Sequence, residues 1–476
     1  MKYLTFFILA FFISLSFGLR AQVRYPSFDK LNSVNEARAD INFINNLLEK
    51  EHPNLYRYVS KAVFKKKIDS LKRSINKPLT NVALRNAILS VLTTIGNGHL
   101  SLLINVSNAE ATAARTATLK TYPIERFNYQ VLQGRLFISG ATEPDAMIAP
   151  GAEILSINGI TATKMLADFF TVIPSDGYNQ SLKIHLLNQG LIPDLFTQFY
   201  GREESLSFRI KVNDSTRLVK VNAVPVRKAI PFKTGNVVSN FKLLPNASAY
   251  LKVEAFNEMP YGAAGEMTGL KPFTVSATNS QSPYLSLFQR LSSSGTTSLI
   301  LDLRNNMGGE YLTAAHLFSY LINRPSLFAK VPEDVLNNKL KTPDQRLKYG
   351  SATPVIPQPL RFKGTLYVLI NGGTFSAASL LAANLQAMGR AVIIGEESGG
   401  GRNYLTGGLI TEAIVPNSHL ILRFGNIAME TPLLQKTEGR GVMPDQEVSY
   451  TIREYLSGQD KELEWVKNEI AMRSKK

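Results

Sequence analysis

Ser376 stands in Asn371-Gly372-Gly373-Thr374-Phe375-Ser376-Ala377-Ala378-Ser379, between the apolar run Leu366 to Ile370 and the stretch Leu380 to Met388. This order reads as a buried strand, a glycine-rich turn, and a helix with small residues at its start. A hydroxyl at the start of such a helix faces backbone N–H groups. A carbonyl bound there would meet a nucleophile and ready-made donors for its oxyanion. The plainer reading makes the serine an N-cap after an ordinary strand-to-helix turn. A second run, Ser298 to Leu303, ends in Arg304-Asn305-Asn306-Met307-Gly308-Gly309. Adjacent glycines let N–H groups approach a ligand with no Cβ in the way, so Gly308 or Gly309 could supply a second oxyanion donor. A tight strand-to-helix turn is the alternative.

A serine nucleophile needs a base, and histidine is the usual one near neutral pH. The chain has five. His52 precedes a proline in a helical connection, and His185 lies in the apolar run Leu182 to Leu187, which suits a structural role. His419 follows Asn417-Ser418 in a surface turn. His316, inside the helical pattern Ala314 to Phe318, is the second choice. His99, in Ile95-Gly96-Asn97-Gly98-His99-Leu100-Ser101-Leu102, is the first, because the glycines break the preceding helix and leave it displayed on a turn rather than packed. No lysine follows Ser376 until Lys436, so a nearby lysine base fails on spacing.

These residues need elements to position them. Residues 36–95 read as helices: Ile41, Phe43, Ile44, Leu47 and Leu48 form one stripe, and Phe64, Ile68, Leu71 and Ile75 another. Thr80-Asn81 caps a third helix that runs toward His99. Residues 117–226 turn to short strands, with hairpins expected around Gln133-Gly134 and Asn213-Asp214-Ser215 and a short helix at Met165 to Phe170. From residue 248 apolar strands alternate with helices (Ala249 to Val253, Ser298 to Leu303, Leu366 to Ile370, Ala391 to Ile394). That alternation predicts a partly parallel sheet covered by helices. Residues 257–285 are polar and rich in glycine, serine and proline, as in a long surface loop.

With 476 residues, two or three domains are expected. Charged residues make up 19% and hydrophobic ones 44%, which is globular rather than disordered composition. Residues 1–21 read as a secretion signal: Lys2, the apolar run Leu4 to Phe17, and a small-residue cleavage site at Gly18 to Ala21. That run, about 14 residues, is shorter than the roughly 20 needed to span a bilayer, so no stable membrane anchor is expected. The absence of cysteine excludes disulfides, a lipoprotein anchor and cysteine catalysis together. Export across the inner membrane to a periplasm or cell surface is the expectation. Loss of Lys2 and Arg20 with the signal would take the net charge from +16 to +14. The basic residues are scattered apart from Lys65-Lys66-Lys67, and they form no aromatic-interleaved stripe, so nucleic acid is not an expected partner. No His-Glu-x-x-His or similar spacing calls for a metal, and no cofactor is expected.

Taken in chain order, these segments resemble the C-terminal processing (tail-specific) peptidases, the family that includes the tricorn core protease. Gly98-His99 is similar to its Asp-Gly-His-Thr segment. Pro150-Gly151-Ala152-Glu153-Ile154-Leu155-Ser156-Ile157-Asn158-Gly159 resembles a PDZ domain and falls where that family inserts one. Asp302 to Gly309 resembles Asp-x-Arg-x-Asn-x-Gly-Gly, and Thr374 to Ser379 resembles Thr-Ala-Ser-Ala-Ser-Glu. Gly395 to Gly401 is similar to the Gly-Glu-x-x-x-Gly-Lys segment, and Gly441-Val442-Met443-Pro444-Asp445 to the closing Gly-Val-x-Pro-Asp.

The resemblance implies an α/β (α+β multidomain) fold. It has a signal peptide (1–21), an N-terminal helical domain (22–116), an inserted PDZ-like β domain (117–226) and a ClpP/crotonase-like catalytic domain with a parallel-rich sheet (227–476). It also implies a serine peptidase acting on unstructured peptides or protein tails. Where the serine–lysine branch has its lysine, this chain has Gly401, so the tricorn-like branch is the nearer pattern. There an upstream histidine is the base and a late glutamate supports it, positions matched by His99 and Glu438. Ser376 is then the nucleophile, and Gly308 or Gly309 with Ala377 holds the oxyanion. Glu396, Glu397, Glu412 and Glu430 are rivals for the acid. Gly98 replaces that branch's serine and Ser379 the usual acid after the nucleophile, which leaves room for a catalytically impaired binding protein on the same fold. A lipase or esterase is disfavoured by the missing Gly-x-Ser-x-Gly elbow.

Overall fold

The computed structural model describes residues 25–110, 120–142, 147–225, 240–256, 284–333, 354–432 and 439–474. The proposed signal segment, most of the expected 257–285 loop and Glu438 lie outside them.

The C-terminal half is built on one sheet. Its strands Asn240–Leu244, Ser248–Lys252, Ser298–Asp302, Thr365–Ile370, Ala391–Gly395 and Gln446–Glu447 lie side by side in chain order. The first pair is antiparallel and every later pair parallel. Parallel neighbours need crossovers, and the helices Tyr311–Ser319 and Ala377–Ala387 lie in two of them. Side chains alternate between the two faces, as the strand period of two requires. Leu299, Leu301, Leu366, Val368 and Ile370 pack with those two helices, whereas Ile300, Tyr367 and Leu369 pack against Val466 and Ile470 of the C-terminal helix Lys461–Arg473. Both faces are therefore covered, which explains strands that read as unbroken apolar runs.

Register sets the position of the chemistry. Asp302 pairs with Leu369, and Ile370 with Gly395. The segments that follow these strands (303–309, 371–376 and 396–401) thus leave the sheet side by side at its carboxyl edge, where open parallel sheets place their ligand sites.

The His99 turn comes from elsewhere. The helices Val34–Glu51, Lys61–Ser74 and Asn81–Leu92 are capped by Ser33, Ser60 and Thr80, each accepting from the N–H three residues on. Their apolar stripes share one core with the antiparallel sheet formed by Phe127–Leu132, Arg135–Ala141, Glu153–Ile157, Ser205–Val212 and Ser215–Asn222. The turn at Gln133-Gly134 has positive φ at both residues, +50° and +74°, as a two-residue hairpin demands. The same core takes in Val415, Leu420, Leu422 and Phe424 of a late hairpin. The strand Ser101–Leu103 joins that hairpin as the third strand of a small sheet. Asp40 reinforces the junction by accepting from the N–H groups of Asn417 (3.0 Å) and Ser418 (2.7 Å).

Arg304 locks the C-terminal helix to the sheet. Its guanidinium bonds both oxygens of Asp302 and both of Asp460 at 2.7–3.0 Å, and Glu462 at 3.2 Å. Asp302 and Glu462 are buried, so removing the cation strands charges in a dry environment. Arg304→Met is expected to destabilise the fold by about 3–5 kcal/mol in chemical denaturation. A loss below about 1 kcal/mol, the range of a solvated surface pair, would contradict this account.

Candidate active site

The helix after the third parallel strand begins at Ala377, and Ser376 does not cap it: its side chain makes no capping hydrogen bond. Its backbone stands at φ +52°, ψ −124°. This is a region in which a residue with a Cβ costs on the order of 1–3 kcal/mol, and such strain gathers at functional sites. The turn is sharp because glycines press on it from two other segments. A methyl carbon on Gly308 would lie 2.7 Å from Ser376 Cβ, and one on Gly400 would lie 2.9 Å from Ser376 N and 2.4 Å from Ser379 Oγ. The small residues that a Gly-x-Ser-x-Gly elbow carries in sequence are here supplied in space.

Asparagines hold the segments together. Asn371 Oδ1 accepts from the N–H groups of Asn305 and Gly373, both at 2.9 Å, and its Nδ2 donates to Asn305 Oδ1 at 2.8 Å. Asn306 O accepts from Phe375 N–H at 3.0 Å, and Thr374 Oγ1 donates to Leu303 O at 2.8 Å. Asn306 Oδ1 takes the Gly308 N–H at 2.9 Å. That bond corrects the expectation for Gly308, whose N–H is already used. The N–H groups of Gly309 and Ala377 make no bond among the described residues. The sequence reading passed over Asn306 and Asn371, although Asn371 beside Gly372 is a turn signal that could have flagged the second.

His99 reaches this turn. Its Nε2 is 3.0 Å from Ser376 Oγ, and its ring lies 4.6 Å from that of Phe375 at a 31° tilt. The expectation that His99 is displayed is wrong: the residue is 7% exposed. It is covered from the side of Gly407, where a methyl carbon would sit 3.5 Å from Nε2. Burial lowers its pKa to about 4, so the ring is held neutral and able to accept a proton. Asn97 steadies the turn, its Oδ1 accepting the His99 N–H at 2.8 Å and its Nδ2 lying 2.8 Å from His52 Nε2.

His99 Nδ1 is buried and has no partner among the described residues. Glu397 is engaged elsewhere, by Arg440 at 2.7 Å and the Gly441 N–H at 2.8 Å, and Glu412 pairs with Arg423. The chain re-enters the described residues at Gly439, directly after Glu438. Gly439 O accepts from Tyr178 N–H (2.8 Å), and the neighbouring Gly177 N–H donates to Gly96 O (2.9 Å) on the His99 turn. His316 is buried in the helix Tyr311–Ser319, with Tyr284 and Tyr320 against its ring. His185 packs on Gly373, where a methyl carbon would fall 2.5 Å from its Cε1. Among the described residues no cluster of His, Cys, Asp and Glu could hold a metal, and no helix is long and apolar enough to cross a membrane.

Residues 247–448 match the sequence model of the family described as Peptidase family S41. They form an S41 peptidase domain. The S41 domain contains Ser376, Gly308, Gly309 and Glu438, while His99 precedes it. Two curated relatives carry related sequence. The chloroplastic C-terminal processing peptidase of Tetradesmus obliquus is 28% identical over 142 residues, covering 30% of this chain and 28% of the relative. The carboxyl-terminal-processing protease of Picosynechococcus sp. is 26% identical over 184 residues, covering 39% and 40%. The chain thus aligns with less than half the length of either. The fold extends beyond the S41 domain. Mature CPAF superposes with a TM-score of 0.55 at 17% identity, covering 89% of this chain and 96% of that one. Mature CPAF complexed with lactacystin gives 0.57 at 15%, covering 92% and 98%.

The crowding at Gly308 is directly testable. Its φ of +95° and the 2.7 Å approach to Ser376 leave no room for a methyl group. Gly308→Ala is expected to slow labelling of Ser376 by a fluorophosphonate on the order of a hundredfold without unfolding the protein, since displacements near 1 Å carry that penalty. Labelling at the wild-type rate would mean that the close packing does not shape the serine.

Proposed function

We propose that this protein is an exported serine endopeptidase that hydrolyses peptide bonds of unstructured peptides or protein tails, with Ser376 as nucleophile and His99 as general base. The observation that carries this reading is the 3.0 Å contact between His99 Nε2 and Ser376 Oγ, which joins residues 277 apart in sequence at a strained turn. The S41 domain and the C-terminal processing relatives support peptide bonds as the target.

In the proposed cycle Ser376 Oγ attacks the carbonyl carbon while its proton passes to His99 Nε2. The tetrahedral oxyanion takes the N–H groups of Gly309 and Ala377, and loss of one such donor costs roughly 3 kcal/mol of barrier in serine proteases of other folds. His99 then protonates the leaving amine, the C–N bond breaks, and an acyl-Ser376 ester remains. Water enters, His99 takes its proton, and the acid product leaves with Ser376 restored. Glu438 is the proposed partner of His99 Nδ1, a buried nitrogen that needs one. The antiparallel segment within 117–226 is read as a PDZ-like unit that receives the substrate tail by strand addition. Export is supported by the basic, apolar and small-residue order of residues 1–21.

Purified protein should cleave a fluorogenic unstructured peptide, and Ser376→Ala should reduce turnover by about 10⁴-fold or more. His99→Ala should fall nearly as far. Full activity of Ser376→Ala rules out the nucleophile, and a live His99→Ala beside a dead His316→Ala reassigns the base.

Glu438 makes a separate prediction with a defined sign. A carboxylate against imidazole favours the charged ring and raises its pKa, whereas burial alone leaves His99 near 4. Glu438→Gln should therefore lower kcat and also move the acid limb of kcat/KM to lower pH by about a unit or more, since that limb reports the free base. An acid limb that stays in place or moves upward removes Glu438 from the role.

A further inference from the structure

Between the helices Ala162–Phe170 and Ser181–Leu186 the chain runs through Ser175-Asp176-Gly177-Tyr178-Asn179, and this strap joins the turn before His99 to the segment beside Ser376. Asp176 is 2% exposed. Its Oδ1 accepts from Gly98 N–H at 2.7 Å and its Oδ2 from Gly401 N–H at 3.0 Å. Gly98 immediately precedes His99. Gly401 follows Gly400, which presses on Ser376. The strap holds the same two segments twice more, through Gly177 N–H to Gly96 O (2.9 Å) and Asn179 Nδ2 to Ser398 O (2.7 Å).

The chemistry of the residue is specific. Two N–H donors from separate segments converge on its two oxygens, one each, and a carboxylate answers both with no donor of its own to misplace. An asparagine would answer one and turn its own NH₂ against the other. No cation offsets the buried carboxylate among the described residues; burial raises its pKa to about 6, and the two N–H bonds oppose that rise. A charge kept in so costly a place needs a return beyond stability.

We propose that Asp176 is a positioning residue of this site. Through Gly98 and Gly401 it fixes where the His99 imidazole stands relative to Ser376, and it makes that alignment depend on how the β-rich segment carrying the strap is seated. The inference rests on the reading of Ser376 and His99 given above.

The test is a double-mutant cycle in the full chain, reading kcat, KM and the fluorophosphonate labelling rate of Ser376 for wild type, Asp176→Asn, His99→Ala and the double variant. Asp176→Asn should lower kcat and the labelling rate constant on the order of tenfold to a hundredfold. KM should stay within about twofold, and every molecule should still label in the end. In the His99→Ala background the same substitution should change nothing further, because its effect travels through His99. Wild-type rates in Asp176→Asn, or an equal loss in both backgrounds, overturn the inference. If Asp176→Asn does not fold, Asn179→Ser releases the same strap from Ser398, leaves Glu397 paired with Arg440 and enters the same cycle. A smaller loss confined to the His99-containing background supports the proposal, and none refutes it. Wild-type protein that never labels would instead refute the nucleophile itself.

Discussion

The backbone of Ser376 is the constraint from which the rest of the site follows. A serine at φ +52° between a buried strand and a buried helix is uphill, so the surroundings must leave it no alternative. Phe375 N–H is tied to Asn306 O, and Leu380 N–H to Ser376 O. Thr374 O collects the N–H groups of Gly399 and Gly400 and the Ser379 hydroxyl. Each bond contributes roughly 1 kcal/mol net, so together they offset the strain. The two glycines at 308 and 400 are what allow three adjacent segments to close on one residue. The parallel register beneath delivers those segments side by side, and the Arg304 clamp ties the C-terminal helix to the sheet at that same edge.

His99 obeys a different constraint. His99 is followed by Leu100 of the core that the N-terminal helices share with the β-rich segment, whereas Ser376 is followed by Ala377 of the core of the parallel sheet. Their 3.0 Å contact therefore depends on how two bodies of packing meet. The Asp40 bonds to Asn417 and Ser418, the pairing of Ser101–Leu103 with Ile421–Glu430 and the Asp176 strap all lie at that meeting. Burial keeps the imidazole neutral, which suits a base, and it also isolates Nδ1. A buried ring nitrogen without a partner costs about 1–3 kcal/mol, so the site calls for an acceptor there.

Sequence made the strands and turns legible because their physics is local. The apolar runs at 298–303 and 366–370 are strands buried on both faces, and the glycine pairs after them mark where backbones must approach closely. The helix caps at Ser33, Ser60 and Thr80 and the hairpin at Gln133-Gly134 follow from residue type within a few positions. What was not legible is what depends on distant packing. A glycine-flanked turn reads as exposed, yet His99 is covered by Phe375 and Gly407, which come from other parts of the chain. Gly308 reads as a free donor, and only the folded loop reveals that Asn306 takes its N–H. Asp176 sits in an ordinary Asp-Gly turn signal, with nothing nearby in sequence to indicate which two segments its oxygens would join.

The departures from the family pattern look like lost function when each is taken alone, but the structure makes two of them one feature. A side chain at Gly98 would strike the Phe375 ring at 2.9 Å and Asp176 Oδ1 at 3.0 Å, and one at Gly401 would strike Tyr404 O at 2.1 Å. A lysine at 401 does not fit this backbone, and a serine before His99 would require the Phe375 ring and the Asp176 carboxylate to shift. The same two glycines are the residues whose N–H groups the Asp176 carboxylate accepts. A decaying site would accumulate substitutions without regard to one another. Here the residues that replace the expected serine and lysine meet on a single buried carboxylate, which ties the turn carrying His99 to the segment beside Ser376.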